Sequence, residues 1–154
     1  MRTPWPTRWL APTVPAGIAA LMAVIVMAST ATDVRPADAF DALARHDYVL
    51  HCSGCHRADG AGAERVVPSF EMMGVFMAAE AGREYLIRVP GVAHAPVTDA
   101  RLAALLNYVA DELAGVSVPA PFTEAEVARH RSEPLVDPLA ARKTLLSRLL
   151  TASR

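Results

Sequence analysis

The sequence predicts an all-α protein, and three observations carry that prediction. The 154-residue chain is rich in alanine and leucine, and aromatics make up only 6% of it. Strands draw on β-branched and aromatic runs, so this composition favours helix. Residues 99–114, DARLAALLNYVADELA, place Leu102, Leu105, Leu106, Val109 and Leu113 on one helical stripe. Residues 36–50, PADAFDALARHDYVL, open on Pro36 and carry Phe40, Leu43 and Ala44 at helical spacing, with Val49 and Leu50 closing the run.

The elements follow in chain order. Residues 1–31 read as a secretory leader: Arg2 and Arg8 form a positive start, residues 16–28 an apolar core, and Ser29 and Ala31 the small residues of a cleavage site, with a second such site after Ala39. Thirteen apolar residues fall short of a membrane span, whereas the uncharged stretch 9–32 is long enough to cross a bilayer if it is retained as an anchor. Under either reading the body, from about Asp33, lies outside the cytoplasm, in the periplasm. Residues 32–118 then make the main domain and residues 119–154 a helical extension.

The predicted helix at 36–50 runs straight into LHCSGCHR, which holds both cysteines of the chain, Cys52 and Cys55, with His56 directly after them. Four chemistries use a Cys-x-x-Cys pair. A structural zinc site asks for about four ligands, usually as two pairs, and here the remaining histidines, His46, His51, His94 and His130, are scattered. A redox dithiol asks for a strand before the motif, and no strand pattern precedes residue 52. A disulfide across two residues closes too short a loop to stabilise much. Covalent haem attachment uses the full Cys-x-x-Cys-His pattern. Two thioethers reach neighbouring vinyl groups of one porphyrin, the following imidazole faces the iron, and the small Ser53 and Gly54 let the turn close. Haem attachment is the reading that uses all three residues, with Cys52, Cys55 and His56 as cofactor-binding groups around one covalent haem c.

Beyond the motif, residues 66–74 read as a loop entering a short helix, and Gly82 divides that helix from REYLIRVPG. Pro90-Gly91 marks a turn. Arg83 and Arg88 are candidates for pairing with haem propionates, or else solvated surface arginines. Thr98 or Asp99 caps the helix at 99–114 and Gly115 ends it. In the extension, Pro119 and Pro121 form a linker, and Thr123 with Glu126 makes a capping box for a helix over 124–132. A last helix over 137–150 takes Asp137 as cap and Pro138 in its first turn. Leu139, Leu145, Leu146, Leu149 and Leu150 form its apolar side, and Arg142, Lys143 and Arg148 occupy much of the rest. This extension either folds back over the main domain or docks onto a partner or membrane surface.

The formal net charge of −1 argues against nucleic-acid binding, which draws on a basic surface. Charge is nonetheless uneven: residues 33–117 carry seven basic and twelve acidic side chains, residues 119–154 six basic and four acidic. No nucleotide loop, carboxylate pair or serine triad is present to suggest hydrolytic or phosphoryl chemistry.

With these features in place, the chain resembles the class I monohaem cytochrome c family over roughly residues 36–114. In that family an N-terminal helix leads into the attachment motif and packs on a C-terminal helix. The aromatic four positions before the first cysteine is matched by Tyr48, with Ala44 one turn earlier. The glycine-containing loop is matched loosely by Asp59-Gly60-Ala61-Gly62, and the Leu-x-x-Tyr of the final helix by Leu105 and Tyr108. The resemblance implies one-electron transfer, with an extracytoplasmic dehydrogenase or quinol oxidoreductase as donor and a cytochrome or oxidase as acceptor. Membrane association would come through the N-terminus.

The second axial ligand is where the chain departs from the family. The matching stretch, PGVAHAPVTD, offers His94 where the family has methionine, and no methionine follows Met77. His94, a methionine from Met72, Met73 and Met77, and an open iron all remain candidates. A thioether raises haem potential relative to a second imidazole. Open iron would make the protein an enzyme or sensor of the peroxidase-like kind, and an uncleaved leader would suit a haem subunit of a larger membrane complex.

Overall fold

The computed structural model describes residues 36–117 and 120–152. The leader at 1–31 therefore lies outside the described residues. Among the described residues every regular element is helical, and an isolated bridge between Ala63 and Val67 is the sole β pairing. No helix among them is long and apolar enough to cross a membrane. The all-α expectation holds.

Helix α1 (Pro36–His51) is followed at once by the single turn α2 (Ser53–His56). A 3₁₀ turn (Phe70–Met72) leads into α3 (Met73–Met77), then α4 (Glu80–Arg88) and the short α5 (Pro90–Ala93). Helix α6 (Asp99–Tyr108) continues into a π-helical turn (Val109–Leu113). The extension supplies α7 (Glu124–His130) and α8 (Pro138–Ala152).

The frame is the packing of α1 against α6. Helix α6 behaves as its stripe predicts: Leu102, Leu105, Leu106 and Val109 are buried. Thr98 rather than Asp99 is the cap, its hydroxyl accepting from the Arg101 N–H at 3.3 Å. Gly115 ends the helical path at φ +62°, a conformation glycine adopts without a Cβ penalty.

Helix α1 presents a different face from the one its large apolar residues suggested. Ala44, Asp47 and Tyr48 turn inward, while Phe40, Leu43, Val49 and Leu50 are exposed. The cause is Asp47, whose carboxylate takes a two-pronged ion pair from Arg101 of α6, the Nε–Oδ2 arm measuring 3.0 Å. A buried carboxylate is tolerated when paired in this way. That pair, with Tyr48 packed on Tyr108 (ring centroids 6.1 Å apart), sets which side of α1 meets α6.

Two further expectations are corrected. Gly82 does not divide helices. It lies within α4, and the break comes at Ala79, whose backbone is extended. A Cβ on Gly82 would stand 2.0 Å from the Phe76 carbonyl oxygen, so glycine is what lets α4 lie against the end of α3. Pro90-Gly91 begins the short helix α5 rather than a simple turn, with proline at its first position.

The extension folds back on the body and shares its core. Phe122 and Val127 are buried with Leu102, Leu106 and Ile87. The Asn107 side chain brackets the Phe122 backbone, accepting from its N–H at 2.7 Å and donating to its carbonyl at 3.1 Å. Thr123 caps α7 and Asp137 caps α8 as predicted.

Candidate functional site

Helix α1 hands its last carbonyls to the motif: the Cys52 N–H donates to the Tyr48 carbonyl at 2.9 Å, and Cys55 and His56 both donate back to the Cys52 carbonyl. The turn closed by these bonds is α2. The chain then reverses at Arg57 (φ +67°) and wraps beneath His56, where the Gly62 N–H donates to the His56 carbonyl at 3.0 Å. Tyr48 reaches across from α1, its hydroxyl donating to the Arg57 carbonyl. Gly60 and Gly62 both have positive φ. A Cβ on Gly60 would meet the Phe70 ring at 2.5 Å, and one on Gly62 the Val67 carbonyl oxygen at 2.3 Å. These glycines are what allow residues 57–70 to lie so tightly around the histidine.

The motif opens onto a cavity of about 400 Å³ whose walls are mostly apolar side chains. That is within the size range of sites that enclose a small organic ligand. Cys52, Cys55 and His56 form one part of the lining, Leu102, Leu105 and Val109 of the α6 region another. The two cysteines are free thiols, Cys52 half-buried and Cys55 exposed. Burial, together with the nearby Asp47 and Cys55, pushes the Cys52 thiol up to about 11, so it stands as thiol and not thiolate at neutral pH.

His56 stacks on Phe70, with ring centroids 4.5 Å apart and planes at 19°. Burial lowers its pKa, against a smaller opposing effect of the Pro68 backbone, so the imidazole is neutral at pH 7. Its Nδ1 is buried without a hydrogen-bond partner. The Pro68 backbone is thus close enough to influence the ring but is not in bonding geometry with it.

The candidates for a second axial ligand separate spatially. Met73 in α3 is 2% exposed and lines the same cavity as the motif. Met72 and Met77 do not line it. His94 is exposed at the end of α5 and lies outside the lining, although its neighbours Val92 and Ala95 belong to it. Arg131, just past α7, donates to the carbonyls of Ala93, Ala95 and Val97 and to the Asp99 carboxylate, holding residues 93–99 in one conformation.

Arg83 and Arg88, considered for carboxylate binding, are both engaged by the extension. Arg83 grips Glu126 with two bonds of 2.7 and 2.6 Å, donates to the Ala120 carbonyl and stacks on Phe122. Arg88 pairs with Glu84 and donates to the Glu133 carbonyl. Neither lines the cavity.

The extension, which on the sequence either folds back to shield an edge of the main domain or docks elsewhere, contributes a wall whose residues the sequence did not single out. Pro138, Leu139 and Arg142 of α8 line the cavity, and the Tyr85 hydroxyl donates to the Pro138 carbonyl at 3.3 Å. The available signal was the spacing of Leu139 and Arg142, three apart and so on one face of the helix. Among the described residues no group of three or more His, Cys, Asp or Glu side chains is placed to hold a metal ion by itself. No family model matches the chain, and neither a curated protein nor a solved structure is significantly similar to it.

Proposed function

We propose that this cavity holds one covalently attached haem c and that the protein is an exported c-type cytochrome of the class I kind carrying single electrons. The observation that supports this best is the convergence of Cys52, Cys55, His56 and buried Met73 on one apolar cavity. The placement of Cys-x-x-Cys-His directly after α1, with α1 packed on α6, agrees with that reading. The haem would supply the one-electron couple; the residues attach it, orient it and exclude water.

Cys52 and Cys55 attach it. Each thiol would be consumed in a thioether to a vinyl group, its sulfur bonded to one vinyl carbon and its proton to the other, with no net redox change. His56 is suited to iron because it is held neutral, and ligation needs the unprotonated imidazole. Iron-bound histidines commonly donate their second ring N–H to a backbone carbonyl, and the Nδ1 of His56 is buried and free of any other hydrogen-bond partner. In this proposal Met73, which lines the cavity, would offer its thioether to the iron in preference to His94, which lies outside the lining. The thioether favours a higher potential than bis-histidine ligation. Such a carrier accepts electrons from an extracytoplasmic dehydrogenase or quinol oxidoreductase and passes them to another cytochrome or an oxidase.

The test is expression with an export signal and a haem-attachment system, followed by mass measurement of the unfolded chain. The proposal expects the mass of one haem retained after denaturation, and its loss when Cys52 and Cys55 are both replaced by alanine. A chain that emerges with no haem mass would sink the proposal. Rapid cyanide or carbon monoxide uptake by the loaded protein would defeat the carrier role and turn attention to catalysis or sensing.

A further inference from the structure

Five arginine–carboxylate ion pairs occur among the described residues. Four of them account for the partly buried arginines of the body and extension: Arg83 with Glu126, Arg88 with Glu84, Arg101 with Asp47, and Arg131 with Asp99. Arg142 is also partly buried, yet it makes no ion pair among the described residues; its polar neighbour is the uncharged Tyr85 hydroxyl. Its guanidinium lies 4.8 Å from the centre of the Phe76 ring, which is fully buried and stacked on Tyr85. It lines the same cavity as the two cysteines and His56.

A cation over an aromatic face recovers part of its lost hydration, and a counter-anion recovers more. The apolar lining offers no carboxylate. An occupant bearing its own carboxylates would complete the site, and the planar guanidinium suits a carboxylate with two parallel bonds.

We infer that Arg142, from the C-terminal extension, binds a carboxylate of the cavity's occupant, with half-buried Pro138 beside it in the lining. This rests on the haem reading, under which the carboxylate is a haem propionate. The extension then becomes part of the cofactor site. Its anchors are Arg131 on residues 93–99, Arg83 on Glu126, and Tyr85 on Pro138. They fix α8 where Arg142 can act. A positive charge held at the haem edge favours the reduced state, whose iron carries one positive charge fewer. Neighbouring Lys143 is exposed and outside the cavity lining, which makes it a matched control for a general change in charge.

The experiment compares wild type, R142Q, R142K and K143Q, each first weighed for covalent haem and then titrated for midpoint potential. The expected result is haem in all four, a lower potential in R142Q, an intermediate value in R142K, and no shift in K143Q. Haem in all four with R142Q and K143Q shifted equally would overturn the role of Arg142 and leave the haem reading standing. No haem mass in the wild type would overturn both, and that is known before any potential is measured. Circular dichroism of R142Q identifies a folding defect; in that event R142K, which keeps the charge but loses the two-bonded geometry, decides, and a potential equal to wild type overturns the carboxylate role.

Discussion

Arg131 and Ala95 are joined by a 2.8 Å bond from guanidinium to backbone carbonyl, and this contact ties the extension to the segment beside the cavity. The same guanidinium reaches Ala93, Val97 and the Asp99 carboxylate. Replacing it removes a charged donor from the Ala93 and Val97 carbonyls and from Asp99, while the Ala95 carbonyl keeps the Val97 N–H at 2.8 Å. Arg131→Ala should therefore lower stability by about 2–4 kcal/mol, since bonds to charged donors are each worth roughly 1.5–3 kcal/mol and partly redundant here. Denaturant unfolding of the purified protein and the variant checks this. A loss under about 0.5 kcal/mol, typical of a neutral surface change, would show that the segment holds itself.

Met73 and His94 make opposite predictions for the proposed sixth ligand. Met73 is buried against the cavity, whereas His94 faces solvent outside its lining. Met73→Ala should abolish the weak far-red band of methionine-ligated ferric haem, open the iron to added imidazole, and lower the potential. His94→Ala should leave all three unchanged. Spectra of the two variants decide the matter, and loss of low-spin character in the His94 variant would reverse the assignment.

How far these features were legible in the sequence depended on the range of the interaction that sets them. The Cys-x-x-Cys-His motif was readable because its three residues are adjacent in the chain, and all three line one cavity. The α6 stripe was readable because burial there follows the helical period. The inward face of α1 was not, because Asp47 is held inside by Arg101, fifty-four residues away. The exposure of His94 outside the cavity lining was not legible, and neither was the hold of Arg131 on its segment, since that partner lies beyond the stretch where the resemblance could guide. Arg142 was hidden for the same reason: only the folded extension brings it to Phe76.

Gly82 tests close packing of α4 on α3. A Cβ there would stand 2.0 Å from the Phe76 carbonyl oxygen and 2.6 Å from its Cα, both backbone atoms that cannot swing aside. Outside such a site, glycine to alanine within a helix is stabilising. Here Gly82→Ala should destabilise by about 1–3 kcal/mol, the usual range for overpacking. Because Phe76 carries the ring beneath Arg142, the same variant should also disturb the cavity wall, visible as easier imidazole binding to the loaded protein. A melting temperature at or above wild type would show that α4 is free to move outward.

Acid should loosen the extension through Glu126. Its two bonds from Arg83 hold the carboxyl below the ordinary carboxylate range, with burial opposing and the Arg83 charge, the Thr123 backbone and His130 adding to the lowering. A carboxylate whose folded pKa is depressed contributes stability that is fully present above its unfolded value, about 4.3, and is lost as pH falls through the folded value. The Arg83–Glu126 share of stability should thus be intact at pH 6 and fade as the pH drops below about 4.3. Urea midpoints measured from pH 7 down to pH 3 test this. Wild type should lose stability more steeply than Glu126→Gln across that acidic window, and the two should run parallel above it. Parallel curves throughout would mean that the pair is too well solvated to matter, and that the buried Phe122 and Val127 with the other hydrogen bonds of the extension hold it in place.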